Sequence, residues 1–290
     1  MKAMKKYQFW FCTGSQDLYG DECLRKVADH SQKMVEGMNA SGMLPFELVW
    51  KPTLIDQASI RRTFNEANND ENCAGVITWM HTFSPAKMWI IGLQEYHKPL
   101  CHLHTQFNEE IPYDTIDMDF MNENQSAHGD REYGHIVTRM GIERKIIVGH
   151  WQDKSVTAEL ADWMRAAVGV VESSHIRVCR LGDNMNNVAV TEGDKVEAQM
   201  KFGWEIDHFN VNDVVEYVDA VSKADTEALT DEYYDKYEIL LEGRDADEFR
   251  RHVAVQAQIE IGLEKFLQDG DYQAVVTHFG MLGGLKQLPG

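Results

Sequence analysis

Short, almost wholly apolar runs alternate along this chain with longer segments whose apolar residues recur every third or fourth position. Residues 8–13, 45–52, 74–80, 99–105 and 144–149 read as strands. Between them, helical spacing runs over 21–40, from Asp56, from near Pro85, over 122–140 and then on to Val171. Asp56 is placed to cap its helix, and Pro85 suits a first helical turn, where a missing N–H leaves nothing unsatisfied. Strands that are apolar on both faces and linked by helices predict a parallel sheet covered on both sides.

A second series opens with a strand over 175–182. It continues through a helix near Lys195, a strand over 203–209, helices from Asp213 and Thr230, and a long helix over 245–268. In the long helix Phe249, Val253, Ala257 and Ile261 recur every fourth residue, and Val255, Ile259 and Leu263 widen the stripe, which predicts a core-facing helix. A strand over 274–279 follows. The expected class is α/β, with two doubly wound, flavodoxin-like parallel-sheet domains at 1–173 and 174–290. The second reads as incomplete at its C-terminal end, because no helix follows its last strand and the sequence stops on a turn signal, Pro289–Gly290.

Composition narrows the function classes. With 290 residues, 43% of them hydrophobic, the chain can bury one large or two modest cores. A mean hydropathy of -0.42 and the absence of a long uncharged apolar run exclude a membrane partner of the spanning kind. The opening lysines and the apolar residues after them look superficially like a signal peptide, but the apolar part is too short, so a cytoplasmic protein is expected. Five scattered cysteines with no C-x-x-C pair fit reduced thiols. A net charge of -19 without a local basic cluster argues against nucleic acid, whose affinity comes largely from cations set against phosphates.

In open α/β sheets ligands sit beyond the carboxyl ends of the strands, and four segments fall there. The first, "GSQDLYGDE", offers Gln16, Leu18 and Tyr19, groups that suit a polyhydroxylated ligand. An ordinary turn, with Gly14 and Gly20 for tight geometry and Asp21 as a cap, explains it as well. The second, residues 79–89, brings His81, Phe83 and two tryptophans to the same rim, as sugar-stacking faces or as core. In the third, residues 121–135, Gln125, His128 and Glu132 are spaced to share a helical face. Its H-x-x-x-E-x-x-H spacing is not a zinc-protease pattern, and His102 and His104, on one side of a strand without an adjacent carboxylate, read as structural. The fourth, residues 180–195, places Asp183, Asn184 and Met185 where a cleft is favoured, or is a polar loop with Thr191 and Asp194 capping the next helix. Neither a nucleotide fingerprint nor a catalytic triad order is present. The residues alone give a two-domain α/β protein with a polar and aromatic cleft.

The motifs "GSQDLYGDE", "ITWMHTFSPAKMW", "DMDFMNENQSAHGDREYG", "RLGDNMNNVAVTEGDKVEAQMKFGW" and "GLKQLPG" resemble, in order and along the whole chain, those of the L-arabinose isomerase family. The resemblance implies a homo-oligomeric (trimeric or hexameric) aldose–ketose isomerase acting on L-arabinose, with Mn2+ stabilising the sugar oxygens and glutamates moving the proton. It implies sugar contact by Gln16, Leu18, Tyr19, Met185 and Phe279, and that Phe83, Gln125 and His128 reach a neighbouring subunit's site. It places the manganese ligands and the acid/base residues beyond the LPG motif, so no catalytic or metal residue is expected among these 290. Residues 277–282 depart from the usual acidic sequence around Phe279. A sugar-binding or assembly module without catalysis is the alternative reading; a nucleotide-binding regulator on the same fold class is a more distant one.

Overall fold

The computed structural model describes residues 6–287. The first five residues and the expected turn at Pro289–Gly290 lie outside that range. The chain divides into two compact units, one ending at Val171 and the other starting at Glu172.

In the first unit the expected strands form as β1 (Gln8–Gly14), β2 (Glu47–Trp50), β3 (Cys73–Met80), β4 (Leu100–His104) and β5 (Lys145–Val148). All pair in parallel, in the order β2-β1-β3-β4-β5. This is the flavodoxin-like order. The apolar run after the opening lysines is therefore the central part of a sheet. Side chains alternate across the pleat, and the two faces have separate cores. Phe9, Phe11, Ile77 and Trp79 pack with Met34, Val35 and Met38 of α1 (Gly20–Ala40) and Leu160, Met164 and Ala167 of α6 (Lys154–Ser173). Trp10, Cys12 and Val76 face the other way, against Ile60 and Phe64 of α2 (Gln57–Asn69), Leu93 of α3 (Ile90–Glu95) and Tyr133 and Val137 of α5 (Ser126–Arg139). Every residue of β3 is buried, as a central strand covered on both faces requires.

Asp56 caps α2 as expected, accepting from the Ser59 N–H at 2.7 Å in a reciprocal capping box. Three expectations fail locally. Asp21 lies in the first turn of α1, whose cap position is Tyr19, because a single 3-10 turn at Asp17–Tyr19 precedes the helix. The helix expected over 122–140 is two helices, α4 (Met118–Glu123) and α5, and Gln125 sits at the break with φ -94 and ψ 33. Gln125 thus precedes the helical face that His128 and Glu132 share.

The second unit has a three-stranded parallel sheet in the order β7-β6-β8, from β6 (Arg177–Leu181), β7 (Glu205–Phe209) and β8 (Ala274–Thr277). Cys179 and Leu181 pack with Val214 and Val218 of α8 (Val211–Asp219) and Ile259 of α10 (Ala246–Asp269). Val255, Ile259 and Leu263 of α10 face this core, while Ala257, on the expected four-residue stripe, is buried outside it. A Cβ added at Gly262 would stand 2.6 Å from the Val218 Cα, so glycine there lets the two helices touch backbone to backbone. Asp194 caps α7 (Lys195–Phe202) by accepting from the Glu197 N–H, whereas the Thr191 hydroxyl donates to the Val188 carbonyl and closes its own loop. The helix expected from Thr230 is α9 (Lys223–Lys236), which starts seven residues earlier at a Ser222 cap.

Candidate functional site

The first unit gathers its candidate residues at the carboxyl ends of β1 and β3. Gly14 ends β1 where a Cβ would stand 2.6 Å from Met80 Sδ and 2.8 Å from the Trp89 ring, so only glycine lets the two loops close on each other. The Ser15 and Thr82 hydroxyls then meet at 2.8 Å inside the fold. Beyond them Gln16 is extended, and its Nε2 donates to the Phe83 carbonyl at 3.0 Å. The 3-10 turn that follows presents Leu18 with 82% of its surface exposed, beside a half-buried Tyr19. The Phe83 ring lies 4.7 Å from the His128 ring.

α5 is held to this rim from two points. Ser126 donates to the His81 carbonyl, and the Glu132 carboxylate accepts from the Ala86 N–H at 2.8 Å. Glu132 is thereby committed to capping the 3-10 turn at Ala86–Trp89. The Gln125 side chain donates to Asn122, and the Gln125 carbonyl accepts from the His128 N–H. The structure brings Gln16, Phe83 and His128 together, with the Gln125 carbonyl on the His128 amide; Leu18 and His128 are exposed, and Gln16, Tyr19, Phe83 and Gln125 are half-buried. The surface depressions along α2 and α3, lined by Arg61 and Asn65, contain none of these residues.

In the second unit Met185 follows β6 and Phe279 follows β8, a neighbouring strand. Arg180 donates to Asp183 and Asn184, and Asn184 donates to Glu192 at 2.7 Å. The Asn184 N–H and the Arg180 guanidinium hold the Asp183 carboxyl below its usual range. Met185 is half-buried, its N–H donating to Thr191, and Phe279 is exposed.

Among the described residues, two clusters combine imidazoles with a carboxylate. In one, Asp130 of α5 supplies the carboxylate that β4 lacks: Oδ1 lies 2.7 Å from His102 Nε2 and Oδ2 lies 3.1 Å from His104 Nδ1. That corrects the expectation of a histidine pair without a carboxylate, because helix packing brings in a residue distant in sequence. Burial lowers the His102 pKa, so the ring is neutral; Nε2–H serves Asp130 and Nδ1 accepts from the Thr78 hydroxyl at 2.7 Å. With its proton so used, Thr78 accepts from the Tyr133 hydroxyl, 3.3 Å away. Although burial opposes it, the bonds from His102 and His104 leave the Asp130 pKa lowered. In the other cluster His30 Nδ1 and His81 Nε2 are 2.8 Å apart, and Glu123 Oε1 lies 3.6 Å from His30. Spacing alone could not reveal either cluster, since each draws on separate elements. Two imidazoles with one carboxylate suit zinc, copper, iron or nickel better than manganese, which favours oxygen donors. Neither cluster fits the implied manganese.

Comparison with known proteins agrees with this architecture. Residues 3–175 match the L-arabinose isomerase N-terminal domain, and residues 177–290 match the L-arabinose isomerase central domain. Over all 290 residues the chain is 55% identical to an L-arabinose isomerase of Geobacillus thermodenitrificans. It is 54% identical to those of Halalkalibacterium halodurans and Clostridium beijerinckii. It spans 58% of the length of each of these relatives. With both domain models in order along nearly its whole length, the chain belongs to the L-arabinose isomerase family.

Proposed function

We propose that these residues form the sugar-recognising part of an L-arabinose isomerase, a cytoplasmic enzyme that interconverts L-arabinose and L-ribulose. The observation that carries this reading is the face built from Gln16, Phe83 and His128, which joins three sequence segments through a direct hydrogen bond and a ring contact. Amide groups offer both donors and acceptors to sugar hydroxyls, and aromatic rings cover the C–H faces of the sugar. Leu18 and His128 are exposed, which leaves them open to a second surface that completes the site. Exposed apolar residues close by in sequence, Tyr113, Met118 and Met121, support a homo-oligomer as the source of that surface. Met185 and Phe279 of the second unit are further proposed sugar contacts.

The same face is equipped for recognition and not for proton transfer. Its carboxylate, Glu132, is bonded to the Ala86 amide, whereas aldose–ketose isomerisation needs acid/base groups at two adjacent carbons. On this reading a polypeptide of these 290 residues alone binds sugar without converting it. The test is L-ribulose formation from L-arabinose by that polypeptide supplied with Mn2+. No ketose above the protein-free control is expected, and metal-dependent turnover would refute the proposal.

A further inference from the structure

The His30, His81 and Glu123 side chains come from α1, the end of β3 and α4, and converge with their ligand atoms within 4.8 Å of one another. Each ring is oriented by stacking: His30 on Phe107 at 3.7 Å and 5°, His81 on Trp79 at 4.5 Å and 18°. Stacking fixes the ring planes, and Nδ1 of His30 and Nε2 of His81 meet in a hydrogen bond at 2.8 Å, one donating and the other accepting. His81 Nδ1 is buried without a hydrogen-bond partner, which leaves the ring's orientation to Trp79 and to whatever Nε2 binds. An ion would take the place of the proton held between His30 Nδ1 and His81 Nε2, so that both turn lone pairs to it. Glu123 stands 3.6 Å from His30 and 3.5 Å from Lys26, longer in both cases than the charge-assisted bonds a settled ion pair makes.

We propose that His30 Nδ1, His81 Nε2 and Glu123 Oε1 form a binding site for a borderline divalent transition ion, with zinc as the reference case. Ligand atoms at about 2.0–2.2 Å from a tetrahedral zinc stand roughly 3.4 Å apart. The His30–Glu123 separation of 3.6 Å is close to that, and the histidine pair at 2.8 Å has to open by about 0.6 Å. Three protein ligands leave a fourth position for water or a ligand group. The histidine–aspartate cluster is the weaker host. There the Asp130 carboxylate already bonds both rings at 2.7 and 3.1 Å, and Thr78 holds the far nitrogen of His102, so an ion would have to break a satisfied network. Lys26 is the competitor at the proposed site, its ammonium facing the other oxygen of Glu123.

The test is calorimetric titration of the 290-residue chain with Zn2+ alone, with far-UV circular dichroism confirming that each variant is folded. One zinc per chain is expected, with a dissociation constant of about 10 μM or lower. Glu123→Gln and His30→Gln should each weaken binding at least about tenfold, His104→Gln should leave it unchanged, and Lys26→Met should strengthen it. Glu123 and His30 are partly exposed, so either variant serves if the other folds poorly. Absence of binding at 100 μM Zn2+, binding indifferent to both variants, or binding lost in His104→Gln would each overturn the proposal. Tighter binding of Mn2+ than of Zn2+ would contradict the donor-set argument. None of these readouts depends on isomerase activity.

Discussion

Thr78→Val isolates a buried polar relay while barely changing side-chain shape. The Thr78 hydroxyl is fully buried and lies 2.7 Å from His102 Nδ1 and 3.3 Å from the Tyr133 hydroxyl. His102 and Tyr133 are fully buried too, so neither lost partner is replaced by water. Valine fills the same volume, so a cavity contributes little and the cost is that of two orphaned polar groups. At about 1–3 kcal/mol each, this sums to about 2–6 kcal/mol. Tyr133→Phe alone removes one donor and leaves Thr78 bonded to His102, which costs about 1 kcal/mol. In the Thr78→Val background the same change removes an orphan, so it should be neutral or stabilising. The coupling is then about 1–2 kcal/mol, within the range for residues of one network. Urea unfolding at pH 7 of wild type, both single variants and the double variant measures the cycle. Additive effects, or Thr78→Val within 0.5 kcal/mol of wild type, would refute the relay. The relay joins β3 and β4 to α5, the helix that carries His128, so its stability bears directly on the proposed sugar-facing surface.

Other substitutions test other links of the chain from sequence to site. Gly14→Ala should destabilise by about 1–3 kcal/mol, since the Cβ would meet Met80, Trp89 and Ser84 within 3 Å, read as a lower urea midpoint. Gly262→Ala should lower the stability of the second unit despite alanine's better helix propensity, because the clash is with Val218 backbone; an unchanged melting temperature would contradict this. Asp56→Ala should cost about 1 kcal/mol at pH 7 through loss of its cap. The Ser59 bonds lower the Asp56 pKa, so its contribution is present above the unfolded carboxylate value near 3.8 and is lost as pH falls through the lowered folded value. Wild type and variant should therefore converge in strong acid.

The fold was legible because the strands are nearly continuous apolar runs and the central ones are buried on both faces, so a period-based reading found all five strands of the first sheet. The break between α4 and α5 was not legible. Asn124 and Gln125 carry no glycine or proline, and the interruption follows from packing Ser126 against the His81 carbonyl and Gln106. Family resemblance implies Gln16 as a sugar contact and Phe83 and His128 as contacts to a neighbouring subunit's site, while the bond from Gln16 to the Phe83 carbonyl, which sets the two groups side by side, is a tertiary fact. The two imidazole–carboxylate clusters had no sequence signal, because Asp130 and Glu123 reach their histidines only after helices dock on the sheet.

The most direct test of the central claim, that the Gln16–Phe83–His128 face touches sugar, is calorimetric titration with L-arabinitol, a non-isomerisable analogue. The measurement compares the 290-residue protein with its Gln16→Ala and His128→Ala variants, each checked for an unchanged melting temperature. Saturable binding at millimolar ligand or below, weakened about tenfold or more in each variant, is the result predicted. No heat at millimolar ligand, or identical isotherms for all three proteins, would contradict it.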